Sequence, residues 1–526
     1  MGKVLKTFKS NAVKSFITSV ANGDIHAYVF TSGVTSVSNT VNESYDESVF
    51  RVQREMMFGH KLSTTGAYDT ITANNMAFLT RRINWANNTV FDSYDNSDAN
   101  IFESNNNFYV VTNSTVAGVS KDVYKCIWNK DGARSVINPS VAQSGNPIGG
   151  QFTTSDGYEW VYMYTITDED WNKFAFTNYM PVFSNTIATS AASDGISFIK
   201  INNAGNGYFT KTGNVVSVSS NTVIQIGTTA TVDSDLNAYA NSYIFINIDP
   251  TLNNANTYLS RITTSYTNAT TNYVFVEITP GLPDVNEVQL NFSSFKIGPY
   301  VKITGDGSGA TAYANVSSIG TINYIDIKNR GNNYTTATVE IYDQKSGAGS
   351  GAVATASIAP PGGHGSNPIT ELGSSALGIY SKFVNNDVNF IPNVTYNTVG
   401  LLTQPKIKGN NSVLFTNGSF LQVMTVNLNS TVSYSNNEAL TSSNGHTVYF
   451  LRTASTSNSA YFVGDKSISV GESLTNGSVS TTITAITSNG DLSAFGSEVL
   501  YINNLAANGI TRTTSSNEEI KLAIQF

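Results

Sequence analysis

Residues 107–182 decide the fold. They contain NFYVV (107–111), KDVYKCIWN (121–129), SDGYEWVYMYTIT (155–167) and DEDWNKFAFTNYMPV (168–182). Three of the four tryptophans (Trp128, Trp160 and Trp171) fall here, as does the only cysteine, Cys126. The first two blocks are short apolar and aromatic runs bounded by turn residues, the mark of strands. Asp131-Gly132 and Asp156-Gly157 supply turns, because Asp and Gly tolerate positive φ. From Trp160 to Ile166 apolar and aromatic residues are almost continuous, which predicts a strand covered on both faces. Thr167 opens T-x-x-D, a variant of the capping box, and Trp171 and Phe174 lie three apart behind it, so a short helix follows. These aromatics serve first as core, since each buries a large area.

Working outward, 526 residues exceed one ordinary hydrophobic core and imply two to four domains. The formal charge is −8, from 29 basic and 37 acidic residues, with no basic stripe, which argues against nucleic-acid binding. Only 13 % of residues are charged, and Asn, Ser, Thr and Gly fill the deficit. With 27 Tyr and 27 Phe, such a chain favours sheets and turns over long helices. A single cysteine makes no internal disulfide, so a disulfide-scaffolded secreted domain is excluded. No apolar run reaches the roughly 18 residues of a membrane span. The segment MGKVLKTFKSNAVKSFITSV has no continuous apolar stretch and no cleavage site, so no signal peptide is expected.

Along the chain, residues 10–20 place Val13, Phe16, Ile17 and Val20 on one helical side, and Asn22-Gly23 stops that helix. Ile25–Phe30 reads as a strand and 39–50 as a loop. Residues 72–86 read as a helix, with Met76, Leu79 and Ile83 on one face and Arg81-Arg82 near its C-terminal end, where cations suit the dipole. Asp92, Asp95 and Asp98 lack the central Gly and terminal Glu of a calcium loop.

From about 192 to 365 the sequence is rich in Gly, Thr and Val and carries an internal echo. ISFIKINNAGNGY (196–208) matches INYIDIKNRGNNY (322–334), and GSGATA (307–312) matches GSGAVA (349–354). Glycine there permits tight turns or close backbone approach. Two copies do not make a solenoid, so paired β units or a sandwich are expected. Tyr273–Ile278 alternates as a strand before the turn Pro280-Gly281. PPGGHG (360–365) is an irregular loop. Beyond it, Asn417-Gly418, Asn444-Gly445, Asn476-Gly477 and Asn489-Gly490 punctuate strand-and-turn units. At the end, Ile520, Leu522, Ile524 and Phe526 alternate strictly, as in a half-buried terminal strand that closes a sheet begun near the N-terminus.

Catalytic signatures are missing. The sequence has no G-x-S-x-G elbow, H-E-x-x-H, C-x-x-C or P-loop, and neither glycine cluster carries a phosphate-loop lysine. His364 is flanked by glycines, but His26, His60 and His446 do not cluster with it in sequence. Asp168-Glu169-Asp170 and Glu518-Glu519 read as solvated faces or caps. No catalytic, cofactor-binding or metal residue is assigned, and no enzyme activity is expected. A carbohydrate-active β-protein, with two carboxylates across a cleft, is the enzymatic rival.

Several motifs, in order, resemble one family. MMFGHKL (56–62), NNMAFLTRRINW (74–85), TVFDSYDNSD (89–98), NFYVV, VYKCIWNKDGARSVINPS (123–140), FTTSDGYEWVYMYTIT (152–167) and KFAFTNYMPV (173–182) are similar to the baseplate wedge subunit of T4-like contractile-tailed bacteriophages, the gene-eight product of that group. PPGGHG and EVLYINN (498–504) with TRTTSSNEEIKLAIQF (511–526) resemble the long variants of marine and cyanobacterial phages. The resemblance implies a largely β structural subunit that forms a homodimer and binds other baseplate wedge proteins. It also implies participation in the baseplate rearrangement at infection, and a place in the virion's tail baseplate after synthesis in the host cytoplasm. It implies no small-molecule substrate and no cofactor.

The combined expectation is a mainly β, multidomain protein of β-sandwich-like domains with a few short helices in the N-terminal part. It has an N-terminal α+β core (1–190), a β insert (191–365), a return segment (366–410), an additional β region (411–495) and C-terminal strands closing the core (496–526). Trp85, Trp128, Trp160, Trp171, Arg81, Arg82 and Tyr158 are the candidate core or interface anchors. The glycine-rich loops at 305–309, 346–351 and 360–365 are candidate movable contacts. A tail fibre or receptor-binding protein is the alternative function.

Overall fold

The computed structural model describes residues 6–33, 47–63, 75–103, 105–114, 119–139, 150–183, 195–232, 234–247, 257–282, 293–342, 349–384, 391–454, 458–493, 496–505 and 509–526. The protein is mainly β, with several sheets, a barrel and only a few short helices. It divides into two compact units. One comprises Met1–Arg82, Asp168–Ser184 and Gly373–Phe526; the other comprises Ile83–Thr167 and Asn185–Leu372.

In the first unit, five strands lie in the order Ser419–Leu421, Met56–Lys61, Ala27–Ser32, Thr398–Thr403, Glu498–Asn504. A row of aromatics and glycines crosses this sheet. Phe30 pairs with Gly59 on one side and Gly400 on the other, and Gly59 pairs in turn with Phe420. Each ring lies over a neighbouring glycine. A Cβ at Gly59 would stand 2.2 Å from the Phe420 ring, and one at Gly400 would stand 2.4 Å from Phe30 Cζ. A four-stranded sheet has the order Glu518–Gln525, Ala376–Phe383, Met76–Arg81, Tyr179–Val182. The C-terminal alternation thus forms an edge strand, with Ile520 and Leu522 buried and Phe526 exposed. The helix Lys6–Asn22 buries Val13, Ile17 and Val20 and ends at Gly23, whose φ is +79°. Residues 424–489 close a six-stranded barrel around Met424, Val426, Leu440, Val448, Phe462, Leu474 and Ile483. Asn444-Gly445 and Asn476-Gly477 turn its hairpins, whereas Asn489-Gly490 leads the chain out of the barrel and is not a hairpin turn.

Two expectations are corrected here. The described part of 72–86 is not helical: Met76–Arg81 is a strand hydrogen-bonded to Ala376–Phe383 and to Tyr179–Val182. Met76 through Thr80 are all buried, so the run is apolar because both faces are covered, and the spacing of Met76 and Leu79 carries no helical meaning. Arg81 and Arg82 accordingly stand at a strand end. The proposed loop 39–50 lies outside the described residues up to 46, and its remainder begins the helix Glu47–Arg54, which buries Val49, Val52 and Gln53.

In the second unit, the deciding stretch forms a four-stranded sheet ordered Tyr109–Asn113, Val119–Trp128, Glu159–Thr167, Gln151–Thr153. The Glu159–Thr167 strand is central, with Trp160, Val161, Met163, Tyr164 and Ile166 buried. The short helix expected after Thr167 is Asp168–Phe174, which falls in the first unit.

The echoes meet in one six-stranded sheet, ordered Ile322–Asn332, Ser308–Val316, Tyr300–Gly305, Ala337–Tyr342, Ser350–Ile358, Ile196–Asn206. Each copy supplies three strands, and each copy's first strand pairs with the third strand of the other copy. Arg330, on the last strand at one end, donates to the Ile196 and Ser197 carbonyls at the other. The first copy is interrupted between 210 and 299 by a seven-stranded antiparallel sheet with its own core, which includes Ile244, Ile246, Ile262, Val276 and Phe295.

The glycine turns are pinned. At 305–309, Asp306 accepts from the Thr335 and Thr336 amides at 2.9 Å each, and Gly305 and Gly307 lie against the Tyr334 ring. Of the 346–351 loop, residues 346–348 lie outside the described residues.

Candidate functional site

A buried polar cluster in the second unit gathers the side chains with most chemical potential. Lys125 lies on the strand Val119–Trp128, in a run from Asp122 to Ile127 that is buried throughout. Its ammonium donates to Glu371 Oε2 and sits 4.8 Å from the centre of the Tyr94 ring. Glu371 closes the short helix Pro368–Glu371, which Asn367 caps by accepting from the Thr370 amide. The Glu371 carboxylate also turns back on the loop before it. Its Oε2 accepts from Gly365 N at 3.1 Å and its Oε1 from Asn367 N at 3.1 Å. Gly362, Gly363 and Gly365 all have φ near +83°, the left-handed region that glycine adopts without strain.

His364 enters from that loop. Its Nε2 is 2.6 Å from Ser197 Oγ, and its ring meets Tyr94 edge-on at 5.2 Å. Its Nδ1 lies 4.0 Å from Glu371 Oε2 and has no hydrogen-bond partner among the described residues. Desolvation drives the His364 pKa well below the ordinary value, and nearby Lys125 and Arg330 add to that. Burial also lowers the Lys125 pKa against the pull of Glu371, and it raises that of Tyr94.

Ser197, His364 and Glu371 fall in the order of a nucleophile, a base and an orienting acid. The geometry does not support that use. His364 Nδ1 stands beyond hydrogen-bond reach of the acid, whose oxygens are taken by Lys125 and two amides. Ser197, His364 and Glu371 are 2, 2 and 6 % exposed, so the serine oxygen has no path to a substrate. The cluster's physical work is to fix the 360–365 loop to the strand bearing Lys125. That loop, offered by its glycines as movable, is therefore also pinned.

The anchors chosen from the sequence fall in different settings. Trp160 is fully buried, between Tyr158 stacked at 5.4 Å and Phe91 at 5.9 Å. Tyr158 is buried too, accepting from Phe91 N at 3.3 Å and donating to the Ala133 carbonyl. The other tryptophans are half-buried. Trp128 stacks on Phe198 at 4.4 Å, Trp85 donates to Ser135 Oγ at 3.1 Å, and Trp171 carries the Arg82 guanidinium 4.7 Å from its ring. Arg82 also donates to the Phe176 carbonyl at 3.1 Å, and Arg81 is half-buried opposite Tyr179. Asp92, Asp95 and Asp98 bind their own loop, accepting from the amides of Asn107, Ser97 and Asn100.

Cys126 is sealed, and burial pushes its thiol well above the ordinary range, so it is inert as a nucleophile. Among the described residues no group of three His, Cys, Asp or Glu could hold a metal ion, and no helix is long and apolar enough to cross a membrane.

Sequence reasoning passed over Lys125, Glu371 and Ser197. The one local signal was Lys125 itself, a charge inside an apolar strand, which requires a buried counter-charge. Surface cavities lined by described residues of the first unit include two. One of about 580 Å³ is lined by Phe50, Arg51, Glu55 and Tyr449 among others. One of about 230 Å³ is lined by Gln53, Arg54, Gln422 and Lys466 among others. No protein-family model matches the chain, and no curated protein matches it.

Proposed function

We propose that this chain is a structural subunit of the baseplate wedge of a contractile bacteriophage tail. In this reading it acts by assembly: it pairs with a second copy, binds other wedge proteins and takes part in the baseplate rearrangement at infection. It does so in the tail baseplate of the virion, after synthesis in the host cytoplasm.

The observation that supports this reading most is where the family-like segments lie. The strands Met56–Lys61 and Glu498–Asn504 share one sheet, and Met76–Arg81, Tyr179–Val182 and Glu518–Gln525 share another. Segments that resemble one family, scattered along the chain, thus build common sheets. The sealed Ser197–His364–Glu371 group favours a structural role over a hydrolytic one. A homodimer would bury the same patch on each copy by two-fold symmetry, through a large and relatively apolar interface.

Light scattering of the purified chain at several concentrations, alone and with wedge proteins of a T4-like phage, tests this reading. A dimer that joins a larger stoichiometric complex is expected. A trimer would favour a fibre or receptor-binding protein, and a monomer that joins nothing would overturn the assembly reading.

A further inference from the structure

Among the described residues, Lys466 is paired with no carboxylate. It follows the barrel strand Ser459–Gly464, is half-buried, and donates to the Gln422 carbonyl oxygen. No carboxylate among the described residues lies within ion-pair distance of it. Its neighbour Asp465 is turned elsewhere: one oxygen accepts from Ser467 N at 2.9 Å, and the other is 3.2 Å from His446 Nδ1. Lys408 adds a second positive charge nearby and donates to the Asn489 carbonyl at 2.9 Å. A half-buried amine that faces one carbonyl oxygen and a like charge is an unfavourable arrangement when no anion answers it.

The same lysine lines the cavity of about 230 Å³, which has room for a small anion or an acidic side chain. Arg54, at the end of the helix Glu47–Arg54, lines it from another side, and Ser467 contributes a hydroxyl. Gln53 lines it too but spends its amide on the Ser497 carbonyl at 2.9 Å. Asp465 is the only acidic residue among the described lining side chains, and its carboxylate is engaged with Ser467 and His446.

We propose that this cavity is an oxyanion site, in which a carboxylate or a tetrahedral oxyanion is held by Lys466. The site stands whether or not the chain is a wedge subunit. The anion has two possible sources, a free inorganic ion or an acidic side chain of a bound protein. Burial, with Lys408 next, brings the free Lys466 amine down to about 7. Asp465 opposes that shift, and Asp491 acts on Lys408 in the same way. Only the ammonium attracts an anion, so binding weakens as pH rises through that value, and a bound anion raises it.

The test uses thermal melts of the full chain at pH 6 in sodium sulfate and in sodium chloride of equal ionic strength. A second arm uses N-acetyl-aspartate amide. Sulfate also strengthens burial generally, so K466M is the control. A saturable rise in Tm that K466M lacks, and that shrinks at pH 9, is expected. Response to sulfate alone identifies a free tetrahedral anion, and response to the acetylated aspartate identifies a protein side chain. Equal responses of wild type and K466M to both probes would overturn the site. Should K466M not fold, carbon-13 reductive methylation of the wild type reports the Lys466 titration directly. An upward shift of about one pH unit with either probe supports the site, and an unmoved titration with both overturns it.

Discussion

Tyr208 and Tyr334, 126 residues apart, make the same hydrogen bond in two copies of one substructure. Tyr208 Oη accepts from Ala352 N at 3.1 Å, and Tyr334 Oη accepts from Ala310 N at 3.4 Å. Each ring covers a matching glycine, Gly349 or Gly307, and each copy has a left-handed glycine beside it, Gly205 at φ +57° or Gly331 at φ +66°. Asn203 and Asn329 accept from those glycine amides at 3.0 and 2.9 Å. The duplication is therefore one of hydrogen bonds as well as of letters. Because the environments match, Y208F and Y334F are expected to destabilise by similar amounts, about 0.5–1.5 kcal/mol each. Replacing Gly205 or Gly331 by Ala should cost more, since the added Cβ would lie 2.6 Å from a backbone nitrogen in either copy. Urea unfolding of the four variants checks this, and a several-fold difference between the tyrosine variants would contradict the equivalence.

The row Phe420, Gly59, Phe30, Gly400 makes a second expectation. The rings fill the space that a side chain on each glycine would need. Gly59→Ala and Gly400→Ala should each destabilise by about 1–3 kcal/mol through overpacking. Phe30→Leu should relieve Gly400→Ala in part, leaving its contact with the Tyr501 carbonyl oxygen at 2.5 Å, and should not relieve Gly59→Ala, whose clash is with Phe420. A double-mutant cycle measures this; additivity of Phe30→Leu with Gly400→Ala would refute the direct contact.

The buried cluster predicts how stability depends on charge and pH. Glu371→Gln leaves the Lys125 ammonium buried without its carboxylate, and breaking such a pair costs about 3–5 kcal/mol. Replacing both partners, as K125M with E371L, should recover most of that loss. His364 has a folded-state pKa below the unfolded one, so below about pH 6.5 the unfolded chain binds a proton that the folded chain refuses. Its contribution is fully present above that pH and falls by about 1.4 kcal/mol per unit as pH drops, until the folded value is passed. His364→Gln should flatten the pH–stability curve by about 1 kcal/mol between pH 6.5 and 5.5. An unchanged slope would mean that the imidazole takes up its proton as readily in the fold as in the unfolded chain.

Legibility in the sequence followed how local the cause was. The Glu159–Thr167 strand, the Asn-Gly hairpins of the barrel and the edge strand Glu518–Gln525 were legible because their periodicity and turn chemistry are complete within a few residues. The strand Met76–Arg81 was misread because a run covered on both faces has no period, and only its neighbours from 179–182 and 376–383 decide its state. The echo was legible as letters, but the exchange of strands between copies was not, since pairing partners are a tertiary choice. Lys125, Ser197, His364 and Glu371 come together across more than 240 residues, and no local spacing encodes that. Lys466 gave no signal, because what marks it is spatial: no carboxylate among the described residues lies within ion-pair distance of it.

The interruption of the first copy leads to the last prediction. The strands from Lys211–Asn214 to Ser294–Gly298 form one antiparallel sheet, and all of its members lie between 211 and 298. Its ends are joined at the base, where Lys211 pairs with Ile297 and Thr210 Oγ1 donates to the Ile297 carbonyl at 3.2 Å. Its buried side chains, including Ile224, Tyr239, Ile262, Val276 and Leu282, come from the same span. Contacts with the duplicated sheet include Phe245, which meets the Tyr313 ring at 5.8 Å and carries Lys328 4.2 Å away, Tyr243, which meets Tyr300 at 5.0 Å, and Arg261, 4.9 Å from the Tyr300 ring. A sheet with a local core and adjacent ends satisfies the conditions for independent folding. Residues 209–299 expressed alone should therefore give a β-type circular dichroism spectrum, cooperative unfolding, and slow amide exchange in Tyr243–Asn247 and Tyr273–Thr279. Uniformly fast exchange would show instead that the insert depends on the sheet that carries it.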